Sequence, residues 1–424
     1  MNVTIKPGRI AGSVSAIPSK SHLHRLLICA ALADGSTTLR CAPTQADDVT
    51  ATINCLAALG ASINRTKDGF AVKPIDRDNL PAEATLPCAE SGSTLRFMLP
   101  VVCALGVRGR FEMSGRLPQR PLAPLDAQLT RHGVRLSRPA PDLLCCEGRL
   151  TPARYTLPGN ISSQYITGLL LALPLLSGAS TLQIEGETES ADYITMTLNA
   201  AAAFGISPEM EGGEYIIRGG KPFSSPGQVI SEGDWSNAAF WLCSGAMPGG
   251  DITYTGLNPQ SAQGDREVCS ILARMGADIN WTGDTLTARE GTRRAIEIDA
   301  RAIPDLIPVL CAVAAVSEGV TIVRNAARLR LKESDRIAAT AQTLRALGAD
   351  ISELPDGLRI TGVGRLTGGE VDSWGDHRIA MMAAVASAAC TGSVTITGGQ
   401  AVRKSYPGFW EELSALGKNV EVVV

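Results

Sequence analysis

The sequence predicts an α/β protein of two domains, each made of three repeats with a buried helix per repeat. Two observations carry this. A pattern of about 70 residues recurs six times along the 424-residue chain, a period that suits one supersecondary unit. The first helix of several repeats is apolar all round, at Ile166 to Leu176, Ala238 to Met247, Leu306 to Val316 and Ile379 to Ala389, and such helices belong inside a globule. Buried helices with sheets and second helices outside them do not describe a doubly wound sheet. At this length, six repeats divide most simply into two domains of three.

Within each unit a polar cluster opens the apolar helix, a glycine closes it, a β-rich stretch follows, and an amphipathic helix ends in a second glycine. The expected order is helix, strand, helix, strand, strand. The first closing glycines are Gly35, Gly106, Gly178, Gly249, Gly319 and Gly392; the second are Gly60, Gly133, Gly205, Gly276, Gly348 and Gly417. Both sets are expected to be left-handed residues at helix C-termini. The closest echoes are LAALGASI at Leu56 to Ile63, LARMGADI at Leu272 to Ile279 and LRALGADI at Leu344 to Ile351. The domains are expected to be 13–231 and 1–12 plus 232–424, joined by two crossing strands that would act as a hinge.

Composition narrows the function. A net charge of -3 and a pI near 5.9 give no global basic field, so a nucleic-acid or membrane-surface partner is not expected. MNVTIKPGRI lacks an apolar signal core and no apolar run reaches membrane-span length, which predicts a soluble cytoplasmic protein. Eleven cysteines without paired CxxC spacing, several in apolar helices, read as reduced core thiols. Four histidines without metal spacing predict no metal site.

The informative residues open the buried helices: Pro18-Ser19-Lys20-Ser21, Glu90 to Arg96, Ser162-Ser163-Gln164, Pro304-Asp305 and Asp376-His377-Arg378. Helix N-termini present free N–H groups and the positive dipole end, so they attract anions. Lys20, Arg25, Arg96, Arg120, Lys332, Arg336, Arg378 and Lys404 lie near these starts, which suggests small substrates carrying phosphate and carboxylate. Asp47, Asp48, Asp305, Glu333 and Asp335 are available to balance charge or move protons. Singly, Ser162, Ser163 and Asp376 also read as caps, Lys20 as a loop lysine, Gly92 as a turn glycine and Lys332 to Arg336 as a charged helix face. Recurrence at one place in the repeat favours a site.

Seven ordered segments then resemble the 5-enolpyruvylshikimate-3-phosphate (EPSP) synthase family of enolpyruvyl transferases. They are Lys20-Ser21 with Arg25, Ser91 to Arg96, Arg120 to Leu125, Ser162 to Tyr165, Ile303 to Pro308, Leu331 to Arg336 and Gly375 to Met381. The resemblance implies two inside-out α/β barrel-like domains that close over substrates in a cleft. It implies transfer of enolpyruvyl from phosphoenolpyruvate to the 5-hydroxyl of shikimate 3-phosphate, in aromatic amino acid biosynthesis, with no metal or organic cofactor and a monomer as the default. By the same resemblance, Lys20, Ser21, Arg25, Ser162, Ser163, Gln164, Ser190, Asp305 and Lys332 hold shikimate 3-phosphate, with Tyr193 nearby. Lys20, Gly92, Arg120, Gln164, Arg336, Arg378 and Lys404 hold phosphoenolpyruvate, and His377 adds a hydrogen bond. Asp305 is the expected base, and Glu333 and Lys20 the proton donors and acceptors at the methylene. Family members bind the inhibitor glyphosate at the phosphoenolpyruvate pocket.

The chain departs from the family pattern at Glu90, Ser91, Ser93 and Phe97 around that pocket, and at Arg328 near the shikimate phosphate. The sister family acting on UDP-N-acetylglucosamine commonly has a cysteine five residues before the Arg-Pro of the second repeat and Asn after the first lysine. Gly115 and Ser21 stand there instead, favouring the shikimate substrate. A non-catalytic repeat scaffold is the alternative from another class, and it places no demand on Lys20, Asp305 or Glu333.

Overall fold

The computed structural model describes residues 1–423. These form two compact units, 18–231 and 1–17 with 232–423. The first helices of the repeats are α1 (Lys20–Ala31), α3 (Gly92–Leu105), α5 (Ser163–Ala172), α7 (Trp235–Ala246), α9 (Ile307–Ala314) and α11 (His377–Ala386). The second are α2 (Asp47–Ala58), α4 (Leu125–Arg131), α6 (Ala191–Ala203), α8 (Val268–Arg274), α10 (Arg336–Ala346) and α12 (Phe409–Ala415). Every residue of α9 and α11 is buried, as their lack of a polar face requires.

Each unit is inside-out: helices fill the middle and three four-stranded sheets face outward. All six sheets share one pattern of parallel and antiparallel pairing, with Asn2–Ile5 from the N-terminus as the third strand of the sixth. In the second repeat, Arg108–Met113 runs parallel to Glu83–Ala89 and antiparallel to Leu143–Gly148, which pairs antiparallel with Val134–Ala140. The repeat is therefore strand, helix, strand, helix, strand, strand, one strand more than expected. Several opening strands escape the sequence pattern because they are only three or four residues long and lie at a sheet edge: Gln228–Ile230, Glu297–Asp299 and Gly369–Asp372 are examples.

Two of these opening strands come from outside their own repeat. Gln228–Ile230 pairs with Thr38 to Arg40 of the first repeat, and Ala11–Ser15 pairs with Asp251 to Thr255 of the fourth. The second pairing corrects the expected boundary. Residues 13–17 belong with the C-terminal unit, so the chain crosses between Ile17 and Pro18 instead of after residue 12. The second crossing falls between Ser231 and Glu232.

Two further expectations are corrected. All six second glycines have positive φ, from 77° to 103°, and at Gly60, Gly205, Gly276, Gly348 and Gly417 the glycine and the next residue donate back to the helix end. Of the first set only Gly106, Gly249 and Gly319 are left-handed, and only Gly106 is itself a cap. Gly35, Gly178 and Gly392 lie farther out, in the loop before the next strand, because α5 and α11 first pass into short 3-10 turns and α1 into a bend. The second helices are also less peripheral than expected. α2 packs on α1 and α3, α6 on α1 and α5, and α10 on α9 and α11. Eleven cysteines are free, and Cys29, Cys103, Cys243, Cys311 and Cys390 are buried in the core. Among the described residues, no helix is long and apolar enough to cross a membrane.

Candidate functional site

The helix starts of each unit gather one constellation. In the N-terminal unit the caps are serines. Ser19 Oγ accepts from His22 N at 3.4 Å and Ser91 Oγ from Thr94 N at 3.2 Å. Ser162 occupies the third cap position, but its side chain makes no capping bond, so the reading of Ser162 as a simple cap fails. Ser163, just inside α5, is buried.

Beside the first start, Lys20 Nζ donates to Asp48 Oδ2 at 2.7 Å, joining α1 to the first turn of α2. At the second start, a Cβ added to Gly92 would lie 2.6 Å from an Arg120 guanidinium nitrogen and 2.9 Å from one of Arg96, so a side chain here forces those cations aside. Arg96 Nη1 donates to Gln164 Oε1 at 2.7 Å, and Gln164 Nε2 donates to Ser93 Oγ at 3.0 Å. Arg96 also stacks over Tyr165 and donates to Pro121 O, the carbonyl that Tyr165 Oη reaches at 2.5 Å. Gly92, Arg96, Arg120 and Gln164 thus form one group.

Arg25, expected to help hold shikimate 3-phosphate, lies on the inner side of α1. It is 2% exposed, and its guanidinium donates to Thr197 Oγ1, Thr167 Oγ1, Ser21 O and Tyr193 O. Burial pulls its pKa down to about 10, and Phe97 lies 5.0 Å beneath it. It orders Ser21 and Tyr193 from inside the helix cluster. Ser190 at the start of α6 is buried with φ 56°, a left-handed conformation costly for serine and of the kind found at ligand clamps. His24 escaped sequence reasoning. It is fully buried, its Nδ1 lies 2.7 Å from Thr52 Oγ1, and Thr52, Thr94 and Ser91 continue the hydroxyl chain to the start of α3.

The C-terminal unit carries carboxylates at its helix starts. Ser163, Asp234, Asp305 and Asp376 are spaced by 71 residues (163, 234, 305, 376). Asp234 caps α7 by accepting from Asn237 N, and Asp376 caps α11 by accepting from Arg378 N. Asp305 stands just before the cap residue Leu306 of α9.

Arg336, the first residue of α10 and 1% exposed, ties three carboxylates together. It reaches Asp305 Oδ1 at 2.6 Å, Glu333 Oε2 at 2.7 Å and Asp376 Oδ2 at 2.8 Å. Ser334 Oγ adds a bond to Asp376 at 3.0 Å. Lys332 Nζ lies 3.5 Å from Asp305 Oδ1, while Arg378 approaches Asp305 Oδ2 at 3.3 Å and donates to its backbone carbonyl. His377 Nδ1 sits 3.7 Å from Asp376. Lys404 Nζ donates to Gly375 O at 2.8 Å, beside the start of α11. Arg328, at the departure from the family pattern, donates to Arg301 O.

Burial alone would raise the Asp305 pKa, yet Arg378, Lys332 and Arg336 hold it well below the ordinary carboxylate range. Asp376 is lowered against the same burial penalty, chiefly by Arg336. Burial pulls Lys332 down to about 8, with Asp305 opposing. The unit therefore presents an ionised carboxylate, a lysine that titrates near physiological pH and guanidinium groups on one patch. That combination suits proton transfer next to anion binding.

Known proteins share this fold and, at higher identity, this sequence. The enolpyruvyl transferase NikO of Streptomyces tendae has the same fold, with a TM-score of 0.76 at 21% identity over 99% of this chain and 98% of its own. EPSP synthase of Acinetobacter baumannii superposes with a TM-score of 0.80 at 27% identity, both chains covered in full. The family described as EPSP synthase (3-phosphoshikimate 1-carboxyvinyltransferase) matches residues 5–413. A 3-phosphoshikimate 1-carboxyvinyltransferase of Clostridium kluyveri is 40% identical over 99% of this chain and 98% of its own, and one of Clostridium beijerinckii is 42% identical over 98% and 97%. The chain belongs to the EPSP synthase family.

Proposed function

We propose that the two constellations serve one reaction, the transfer of enolpyruvyl from phosphoenolpyruvate to the 5-hydroxyl of shikimate 3-phosphate with release of phosphate. Asp305 takes the hydroxyl proton as the oxygen bonds to C2 of phosphoenolpyruvate, while Glu333 or Lys20 delivers a proton to the C3 methylene. Reversal of the C3 protonation expels phosphate from the tetrahedral intermediate and leaves the enol ether. Atoms and charge balance without a metal or an organic cofactor.

The observation that carries the roles is the ionised Asp305 between Arg336, Lys332 and Arg378, with Glu333 on the same Arg336. An anionic substrate that engages Arg336 and Arg378 competes with Asp305 for those cations. Asp305 then loses part of its charge compensation and becomes more basic as the substrate arrives. Lys20, Ser21, Arg25, Ser162, Ser163, Gln164, Ser190, Asp305 and Lys332 hold shikimate 3-phosphate. Gly92, Arg120, Gln164, Arg336, Arg378 and Lys404 hold phosphoenolpyruvate, with Lys20 reaching both. The protein acts as a cytoplasmic monomer.

The test is phosphate release from the two substrates. Asp305→Ala and Glu333→Gln are expected to stay folded and to lose at least about two orders of magnitude in kcat, the usual size of acid or base catalysis. Full turnover in both variants removes the acid–base assignment.

A further inference from the structure

We propose that Thr52 and Thr94 are positioning residues for phosphoenolpyruvate: a buried chain of hydrogen bonds from His24 through both hydroxyls to Ser91 holds the start of α3, and Gly92 with it, in place against α1 and α2. The inference rests on the reading of Gly92 and Arg120 as phosphoenolpyruvate ligands. Nδ1 of His24, on α1, lies 2.7 Å from Thr52 Oγ1 on α2; Thr52 Oγ1 lies 2.7 Å from Thr94 Oγ1 on α3; and Thr94 Oγ1 donates to Oγ of the cap residue Ser91 at 2.8 Å. His24, Thr52 and Thr94 are fully buried and Ser91 is 1% exposed, so the whole chain is shielded from solvent and its bonds form at low local dielectric.

Thr94 is where this chain meets the pocket. Its backbone N–H donates to Ser91 Oγ at 3.2 Å, its hydroxyl bonds the same oxygen and lies 3.4 Å from Asp48 O, and Asp48 in turn holds Lys20. The His24 ring adds a second link from α1 to α3, meeting Phe97 edge-on with ring centroids 6.2 Å apart. Arg120 and Arg96 pack against Gly92 so closely that it has no room for a methyl group, so a shift of the α3 start displaces both cations. Packing alone does not ask for such a chain. α10 of the C-terminal unit also buries Thr340 and Thr343, and among the described residues their hydroxyls find no hydrogen-bond partner. Threonines linked end to end at the start of α3 therefore point to positioning, where a displacement of about 1 Å can cost about a hundredfold in rate.

The experiment is steady-state kinetics in both substrates for Thr52→Val and Thr94→Val, which keep the shape and remove the hydroxyl, beside Thr52→Ser and Thr94→Ser, which keep the hydroxyl. Each valine variant should raise KM for phosphoenolpyruvate about three- to tenfold, the net effect of one hydrogen bond, and leave KM for shikimate 3-phosphate unchanged, because Lys20 keeps its bond to the Asp48 carboxylate. The serine variants should restore KM. The double valine variant should do no more than the larger single one, since both cut one chain. Threonines that merely fill space would lower the unfolding midpoint and leave both KM values in place. A wild-type KM for phosphoenolpyruvate in both valine variants, an equal rise for both substrates, a serine variant no better than its valine counterpart, or multiplied losses in the double variant overturns the proposal; if Thr94→Val does not fold, Thr52→Val and Thr52→Ser decide alone. A wild-type KM for phosphoenolpyruvate in Arg120→Met instead sinks the reading of the pocket, so the two failures are distinguishable.

Discussion

The two units are built on one repeat but solve the helix-start problem with opposite chemistry. In the N-terminal unit the starts of α1, α3 and α5 carry Ser19, Ser91 and Ser162 as cap residues, and the buried Arg25 is satisfied by hydroxyls and carbonyls alone. Neutral caps add no negative charge of their own at these positive dipole ends, which suits holding an anion. In the C-terminal unit Asp234, Asp305 and Asp376 stand at the starts, and Arg336 is enclosed by carboxylates. Compensated charge binds anions less strongly but supplies groups that exchange protons. On the proposed reading both units hold anions, and the aspartates at the helix starts of the C-terminal unit, where the N-terminal unit has serines, add groups that can move protons.

The largest expected contrast is in buried arginines. Arg336→Met strips Asp376, which is fully buried, of its cation and should cost about 3–5 kcal/mol, the usual penalty for breaking a buried pair. Arg25→Met leaves only hydroxyls and carbonyls short of donors and should cost about 1–3 kcal/mol. Denaturant midpoints of the two variants measure this, and an equal or larger loss for Arg25→Met would break the comparison.

Acid should separate the units next. His24, and His132 with it, titrate below the ordinary value near 6.5 because burial disfavours their charged form, so the N-terminal unit loses stability as pH falls below about 6.5. Asp265 is raised from 3.8 to about 7, so its contribution is complete at low pH and is lost as pH rises through neutrality. Asp305 and Asp376, lowered in the folded state, withdraw their contribution only below their ordinary value of 3.8. Between pH 7 and 4, protection factors, which correct for the slower intrinsic exchange in acid, should therefore fall in peptides of 18–231 and rise in those of 232–423. The same trend in both units contradicts the contrast.

The smallest effect concerns what the units share. Gly60→Ala meets open space and should cost about 1–2 kcal/mol, the price of a left-handed alanine. Gly348→Ala should cost more, because its Cβ would lie 2.7 Å from Thr367 Oγ1. Thermal unfolding of the two variants orders them, and a larger loss at Gly60 would show that the two helix ends are not equivalent in the way their bonds imply.

Much of this was legible in the sequence. The period, the helices apolar all round and the second glycines are local signals, and they yielded the repeat, the buried helices and the left-handed C-termini. The edge strands were not legible, since three or four residues such as Glu297–Asp299, with one buried Ile298, are too few to establish a period and are defined by their partner strand. The expected boundary cut Ala11–Ser15 after Gly12 because its partner, Asp251–Thr255, lies some 240 residues away. At the sites, charge near helix starts pointed to Lys20, Asp305, Glu333, Arg336 and Arg378. It could not reveal that Arg25 is internal, that Asp48 pairs with Lys20 or that Asp265 is buried, because those depend on packing between repeats. The 71-residue spacing of Ser163, Asp234, Asp305 and Asp376 was the available signal for the carboxylate series.

The division of labour is tested most directly by measuring kcat and shikimate 3-phosphate affinity for Glu333→Gln and Lys20→Met side by side. Glu333→Gln should bind shikimate 3-phosphate within about threefold of the wild type yet turn over at least about a hundredfold more slowly, and Lys20→Met should lose about tenfold or more in affinity. Wild-type turnover in Glu333→Gln, or unchanged affinity in Lys20→Met, would contradict the account.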